Sequence, residues 1–218
     1  MNRIKARALA QFPSVLLTLI SIIQALALEL LWSKIDGSEF LWSSGESALI
    51  GWGMITVCFM GILVIWLVFT TMVMGLVWEP MLRDSIAPFA IGLQEFMLIS
   101  LVEETFNPYW LLVLASVFVT TNWITHLSMK RARAQAENAL FFEGISPAKL
   151  RDFLPAIAIV AGFSVLAAVM LAFPGQRLLT YLALLVANGI LVAQMIGTRR
   201  LWQRAMNLPA DPEVSRDT

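Results

Sequence analysis

Six stretches of this chain stay apolar for about twenty residues each, and they limit its fold more than any motif does. They cover approximately residues 12–32, 48–78, 86–106, 108–129, 154–174 and 178–198. A bilayer core about 30 Å thick is crossed by about 20 helical residues. In lipid the backbone must satisfy its own hydrogen bonds, which helices do. The expected fold class is therefore all-α, a polytopic integral membrane bundle of six transmembrane helices. The second run is too long for one perpendicular crossing, so it must tilt or project before Glu79-Pro80 stops it.

Composition points the same way. Of 218 residues, 59% are apolar and 14% charged, against about 25% charged in ordinary soluble domains. A soluble core of this size could not hide so much apolar surface. The expected solvent is the lipid bilayer. The formal net charge is zero, so nothing steers the chain toward nucleic acid. The single cysteine, Cys58, cannot form an intrachain disulfide and reads as a small buried apolar residue.

Orientation follows from the basic residues. Arg3, Lys5 and Arg7 precede the first apolar run, and Ala25-Leu26-Ala27 imitates a cleavage site; the segment is read as a first transmembrane helix with a retained basic flank. With the N-terminus inside, 13 Lys and Arg fall in cytoplasmic segments and 2, Lys34 and Arg177, in outer ones. Such a bias places both the N-terminus and the C-terminus in the cytoplasm, in the inner membrane if the source is bacterial. The transmembrane domain spans 1–203, and 204–218 is expected to be a disordered polar cytoplasmic tail.

Local signals refine the ends. Ser85 is expected to cap the third helix, with Pro88 in its first turn, and Ser146 with Pro147 to start another that bends at Pro155. Lys130 onward should extend the fourth helix. The cationic loop 130–152 is a candidate contact for anionic lipid headgroups. Trp32, Trp42, Trp52, Tyr109 and Trp110 are expected in an outer aromatic belt, Trp78 and Trp202 in an inner one. Ala158 with Gly162, and Gly189, Ala193 and Gly197, have spacing that suits close helix packing, within a subunit or in a homo-oligomer or membrane-protein complex.

The third run carries Glu95 at its centre, with Gln94 beside it. An ionised side chain about 14 Å into the bilayer costs at least about 3 kcal/mol on insertion scales. That cost falls if the group is protonated, faces water or finds partners. Gly92, one turn earlier, lets a neighbour approach. Gln24 in the first span and Asn188 in the sixth lie at similar depth. Thr121, Thr125 and Ser128 form a stripe on the fourth helix, and Asn122 and His126, four apart, can touch. The expected polar path runs between the first, third, fourth and sixth spans. Glu95 stands at its middle, His126 at the inner mouth, and Glu103 and Glu104 at the outer one.

No phosphate loop, metal-ligand spacing or nucleophile elbow occurs, and one His with one Cys cannot build a usual zinc site. No cofactor or metal is expected, and catalysis is disfavoured. The leading expectation is a channel or secondary carrier that passes a proton or small cation by way of Glu95. The alternatives are a non-transporting subunit that anchors or assembles a partner protein, and an intramembrane enzyme.

Overall fold

The computed structural model describes residues 3–207. Its regular structure is helical, with no strand among the described residues. The α-helices are α1 (Arg3–Asp36), α2 (Glu46–Gly75), α3 (Leu82–Ser100), α4 (Tyr109–Ala132), α5 (Ala139–Phe142), α6 (Leu154–Ala172) and α7 (Arg177–Met206). Short 3-10 turns occupy Glu39–Trp42, Ala136–Asn138 and Leu150–Phe153.

Five helices are long and apolar enough to cross a membrane: Leu9–Asp36 of α1, all of α2, α4 and α7, and Leu150–Ala172, which includes α6. The helix α3 is not among them, because Arg83, Asp84, Gln94 and Glu95 dilute its 19 residues. Large apolar side chains point outward around the bundle, among them Leu93, Trp123, Val165 and Leu185. Patches of this kind are rare on soluble monomers. They are compatible with bilayer contact, and the five helices point to an integral membrane protein.

Several helix ends differ from the sequence expectation, each for a local reason. Asp84, not Ser85, organises the start of α3: its carboxylate accepts the Met81 backbone N–H at 2.8 Å, and the helix begins at Leu82. Pro88 therefore lies beyond the first turn, where its missing N–H removes a helical hydrogen bond. The helix α2 stops at Gly75 instead of Trp78, because Asn138 bonds both the N–H and the C=O of Val77 and holds 76–81 out of the helix. The segment after Lys130 does not continue α4 far: the helix ends at Ala132, and a 3-10 turn and α5 follow. Ser146 caps nothing. Asp152 accepts the Lys149 N–H at 2.7 Å instead, and Pro155 sits at the start of α6 and bends no helix. At the C-terminal side, 204–206 belong to α7, and the rest of the expected tail, with Arg216, lies from residue 208 on outside the described residues.

Packing centres on α2, which contacts α7, α1 and α3. The helix α3 packs in turn on α4, and α4 on α6. The tightest approaches use glycine. A Cβ at Gly53 would lie 2.9 Å from Leu184 on α7, and one at Gly92 would collide with Ile23 on α1. By contrast, nothing lies within 4 Å of a Cβ at Gly162, Gly189 or Gly197, and Ala158 and Ala193 are exposed. The small-residue faces thus do not pack within the chain, because α6 leans on α4, with Phe118 and Phe163 at 6.0 Å, and hardly touches α7.

Two expected belt residues are interior. Trp110 is fully buried beside Phe106, and Trp78 is covered by Phe12 at 6.4 Å. Trp32 and Trp42 are exposed, as a belt requires. The Phe12–Trp78 contact, the Asn138 bonds and the bond from Arg204 to the Glu143 carbonyl place the start of α1 and the end of α7 at one end of the bundle, beside loop 130–152.

Candidate functional site

Glu95 lies on the inward face of α3 and is only 4% exposed. Its Oε2 accepts a hydrogen bond of 2.9 Å from Gln24 Nε2 on α1. The Gly92–Ile23 approach one turn earlier brings the helices close enough for this bond. The other carboxylate oxygen, Oε1, has no hydrogen-bond partner, and neither does Gln24 Oε1. No ion pair to Glu95 forms among the described residues. A buried, half-satisfied carboxyl is energetically expensive, so its surroundings are the first place to look for chemistry.

Beside Glu95 lies a cavity of about 360 Å³ between α2, α3, α4 and α7. Its walls are mostly Val, Ile, Leu and Phe, and Glu95 is the one charged lining residue. The polar lining clusters on Thr121, Asn122 and Thr125 of α4 and on Gln194 and Thr198 of α7. Those five residues are half-exposed, whereas Glu95, Cys58, Ile62 and Leu114 are buried. The half-exposed polar lining thus lies along the gap between α4 and α7, toward the end that carries loop 130–152. In the other direction Ile99, Val102, Trp110 and Leu111 form a packed, largely apolar plug, each at most 1% exposed.

No protein-family model, curated protein or solved structure matches this chain. The functional reading rests on the site itself.

The sequence candidates separate into groups. Gln24 and Glu95 are joined directly. Gln94 points elsewhere and donates to Ser116 Oγ and Thr120 Oγ1 on α4, each at 3.0 Å, so it fastens α3 to α4. Asn122 lines the cavity while its Nδ2 donates to the Phe118 carbonyl of its own helix. His126 instead packs its ring 4.8 Å from Phe153, in a separate apolar groove between α4 and α6 that Asn122 also borders. Asn188 donates to the Leu184 carbonyl and is absent from the cavity wall. Glu103 and Glu104 are exposed beyond the plug. The polar region is thus bounded by α2, α3, α4 and α7, with α1 supplying Gln24 from behind.

Other interior polar residues escaped the sequence reading. Gln194 and Thr198 are four apart on α7, the same spacing that joins Asn122 and His126 on α4. Asp84 and Arg131 form a bidentate pair at 2.5 and 2.6 Å. Arg131 also donates to the Glu79 carbonyl and to Ser128 Oγ. Arg133 donates to the Ile145 and Ser146 carbonyls and lies 4.4 Å over the Phe142 ring. Two cations of the 130–152 loop are therefore engaged within the protein, while Lys130, Lys149 and Arg151 are exposed.

Proposed function

We propose that this chain is a small membrane carrier that moves a proton or small cation, with Glu95 as its binding group. The reading is supported by the placement of one unpaired, half-satisfied carboxyl beside a cavity whose half-exposed polar lining lies toward one end of the bundle and whose other end is packed with buried apolar side chains. An open channel would need polar groups on both sides of Glu95, and the apolar plug argues against one. One-sided access around a midplane charge is what alternating access requires of a carrier at rest. In this reading α3 makes a sixth crossing, tied to its neighbours by Gln24, Gln94 and Asp84. Both ends face the cytoplasm, as the basic residues favour, and the open cavity is inward-facing.

The test is flux in proteoliposomes containing the full chain, with protons, alkali cations, ammonium and alkyl-substituted ammonium ions offered in turn. Wild-type protein moves at least one of them, and Glu95→Gln, folded to the same melting temperature, does not. Equal flux in both proteins, or none for any species, sinks the reading.

A further inference from the structure

The cavity beside Glu95 is poorly suited to a bare metal ion. A hard cation replaces its hydration shell with several oxygens held at short distance, six to eight for a calcium ion. No group of three or more His, Cys, Asp or Glu side chains converges among the described residues. Within the cavity wall the side-chain oxygens are one carboxylate and the dispersed side chains of α4 and α7. The remaining wall is hydrocarbon from Val57, Ile62, Val68, Leu114, Phe118 and Leu201.

We propose that this cavity binds a small lipophilic organic monocation, a substituted ammonium with apolar groups, with the Glu95 carboxylate as its counter-ion. The inference rests on the carrier reading and narrows its substrate. The geometry suits such a ligand in three respects. The volume, about 360 Å³, falls in the range of small-molecule sites, about 300–1,000 Å³. Apolar walls take up the ligand's hydrocarbon, which a hydrated alkali ion lacks. The sole charge in the wall is negative, nearly fully buried, and has an oxygen without a partner. A cation whose charge is shielded by methyl groups loses little hydration on entering, so a single carboxylate can compensate it.

Two glycines make room for this guest. Gly61 on α2 and Gly197 on α7 both line the cavity, and neither has an atom within 4 Å of where a Cβ would be. The space is therefore a consequence of residue choice on two facing helices. A larger residue at Gly61 fills it without displacing backbone, and replacing a helical glycine also favours the helix.

The test is equilibrium binding of radiolabelled benzyltrimethylammonium to the full chain in lipid nanodiscs. Neopentylbenzene, in which carbon replaces the ammonium nitrogen, serves as the neutral isostere in competition. The expected result is saturable binding that unlabelled cation displaces and neopentylbenzene does not. Glu95→Gln weakens it on the order of 30-fold or more, as losing one partner of a buried charge pair does. Gly61→Leu abolishes it while the melting temperature holds or rises, which separates blocked space from lost fold. Absence of saturable binding, equal displacement by the isostere, or unchanged affinity in both variants overturns the inference. If the organic cation fails to bind while Glu95-dependent proton or alkali-cation flux persists, the substrate class falls and the carrier reading stands. If it binds as expected but no ion moves in liposomes, the carrier reading falls and the binding site stands.

Discussion

Gln24 Nε2 donates to Glu95 Oε2 at 2.9 Å, joining α1 to α3 between residues 71 apart in sequence. Neither side chain has another hydrogen-bond partner for its buried oxygen. Gln24→Leu removes the donor and leaves the carboxylate with nothing, which costs about 1–3 kcal/mol for the stranded group. Glu95→Gln keeps an amide that can still accept from Gln24, so it is expected to be nearly neutral. Thermal denaturation in one detergent checks both. If Gln24→Leu melts with wild type, this bond does not hold the bundle.

The close passage of α1 over Gly92 makes that bond possible. A methyl group there meets the Cγ2 atom of Ile23 inside van der Waals contact. Gly92→Ala is therefore expected to destabilise the protein by about 1–3 kcal/mol, the usual result of overpacking. Ile23→Ala removes the colliding atom, so Gly92→Ala should cost less in an Ile23→Ala background than in wild type. An equal cost in the two backgrounds would show that the contact is not the cause.

Two ion pairs at opposite ends of the bundle should behave differently. Asp84 and Arg131 are 5% and 12% exposed and share a bidentate contact, whereas Arg177 and Glu46, 2.8 Å apart, are 77% and 31% exposed. Asp84→Ala leaves a largely buried guanidinium and removes the acceptor for the Met81 N–H, so a loss of about 3–5 kcal/mol is expected. Arg177→Ala is expected to cost about 0–1 kcal/mol. Melting temperatures of the two variants at low and high salt settle the contrast. A larger effect from Arg177→Ala reverses this ranking.

The long apolar runs were readable because a bilayer imposes its own length scale on them. Their ends were not, because side chains distant in sequence decide them. Glu79-Pro80 signals a stop, yet α2 yields four residues before Glu79, since Asn138 captures Val77. Ser85 has the chemistry of a cap, but Asp84 has the reach, and Arg131 anchors it from α4. Glu95 stood out as a charge in an apolar run, and Gln24 as a polar residue at matching depth. Depth alone could not separate Gln24 from Asn188, because rotation about the helix axis decides which residue faces inward. Trp110 shows the same limit: its depth suits a belt, and its azimuth places it in the core.

Asn138 is a further point where one side chain does the work of secondary structure. It donates to the Val77 and Ala132 carbonyls at 2.6 and 2.7 Å and accepts the Val77 N–H at 3.0 Å. Asn138→Ala should free the 76–81 link and strand buried backbone groups, at a cost of about 1–3 kcal/mol. Limited proteolysis of the folded protein is expected to show new cleavage near Arg83. An unchanged digestion pattern and melting temperature would mean that the link is held by other contacts.

The direction in which the cavity opens can be read from cysteine chemistry, because the chain carries one cysteine. Cys58 is buried in the cavity wall beside Glu95, so a membrane-impermeant cationic thiol reagent should modify it slowly in the folded protein. Thr198 lines the same cavity at its half-exposed end. In a Cys58→Ser background, Thr198→Cys is expected to react much faster than Cys58 does in wild type. Reagent added from the side that carries loop 130–152 should reach it, and reagent added from the opposite side should not, since Val102, Trp110 and Leu111 close that route. Mass spectrometry of sidedness-controlled vesicles measures both rates. Equal labelling from the two sides would mean that the plug is permeable, and one-sided access, on which the carrier reading depends, would be lost.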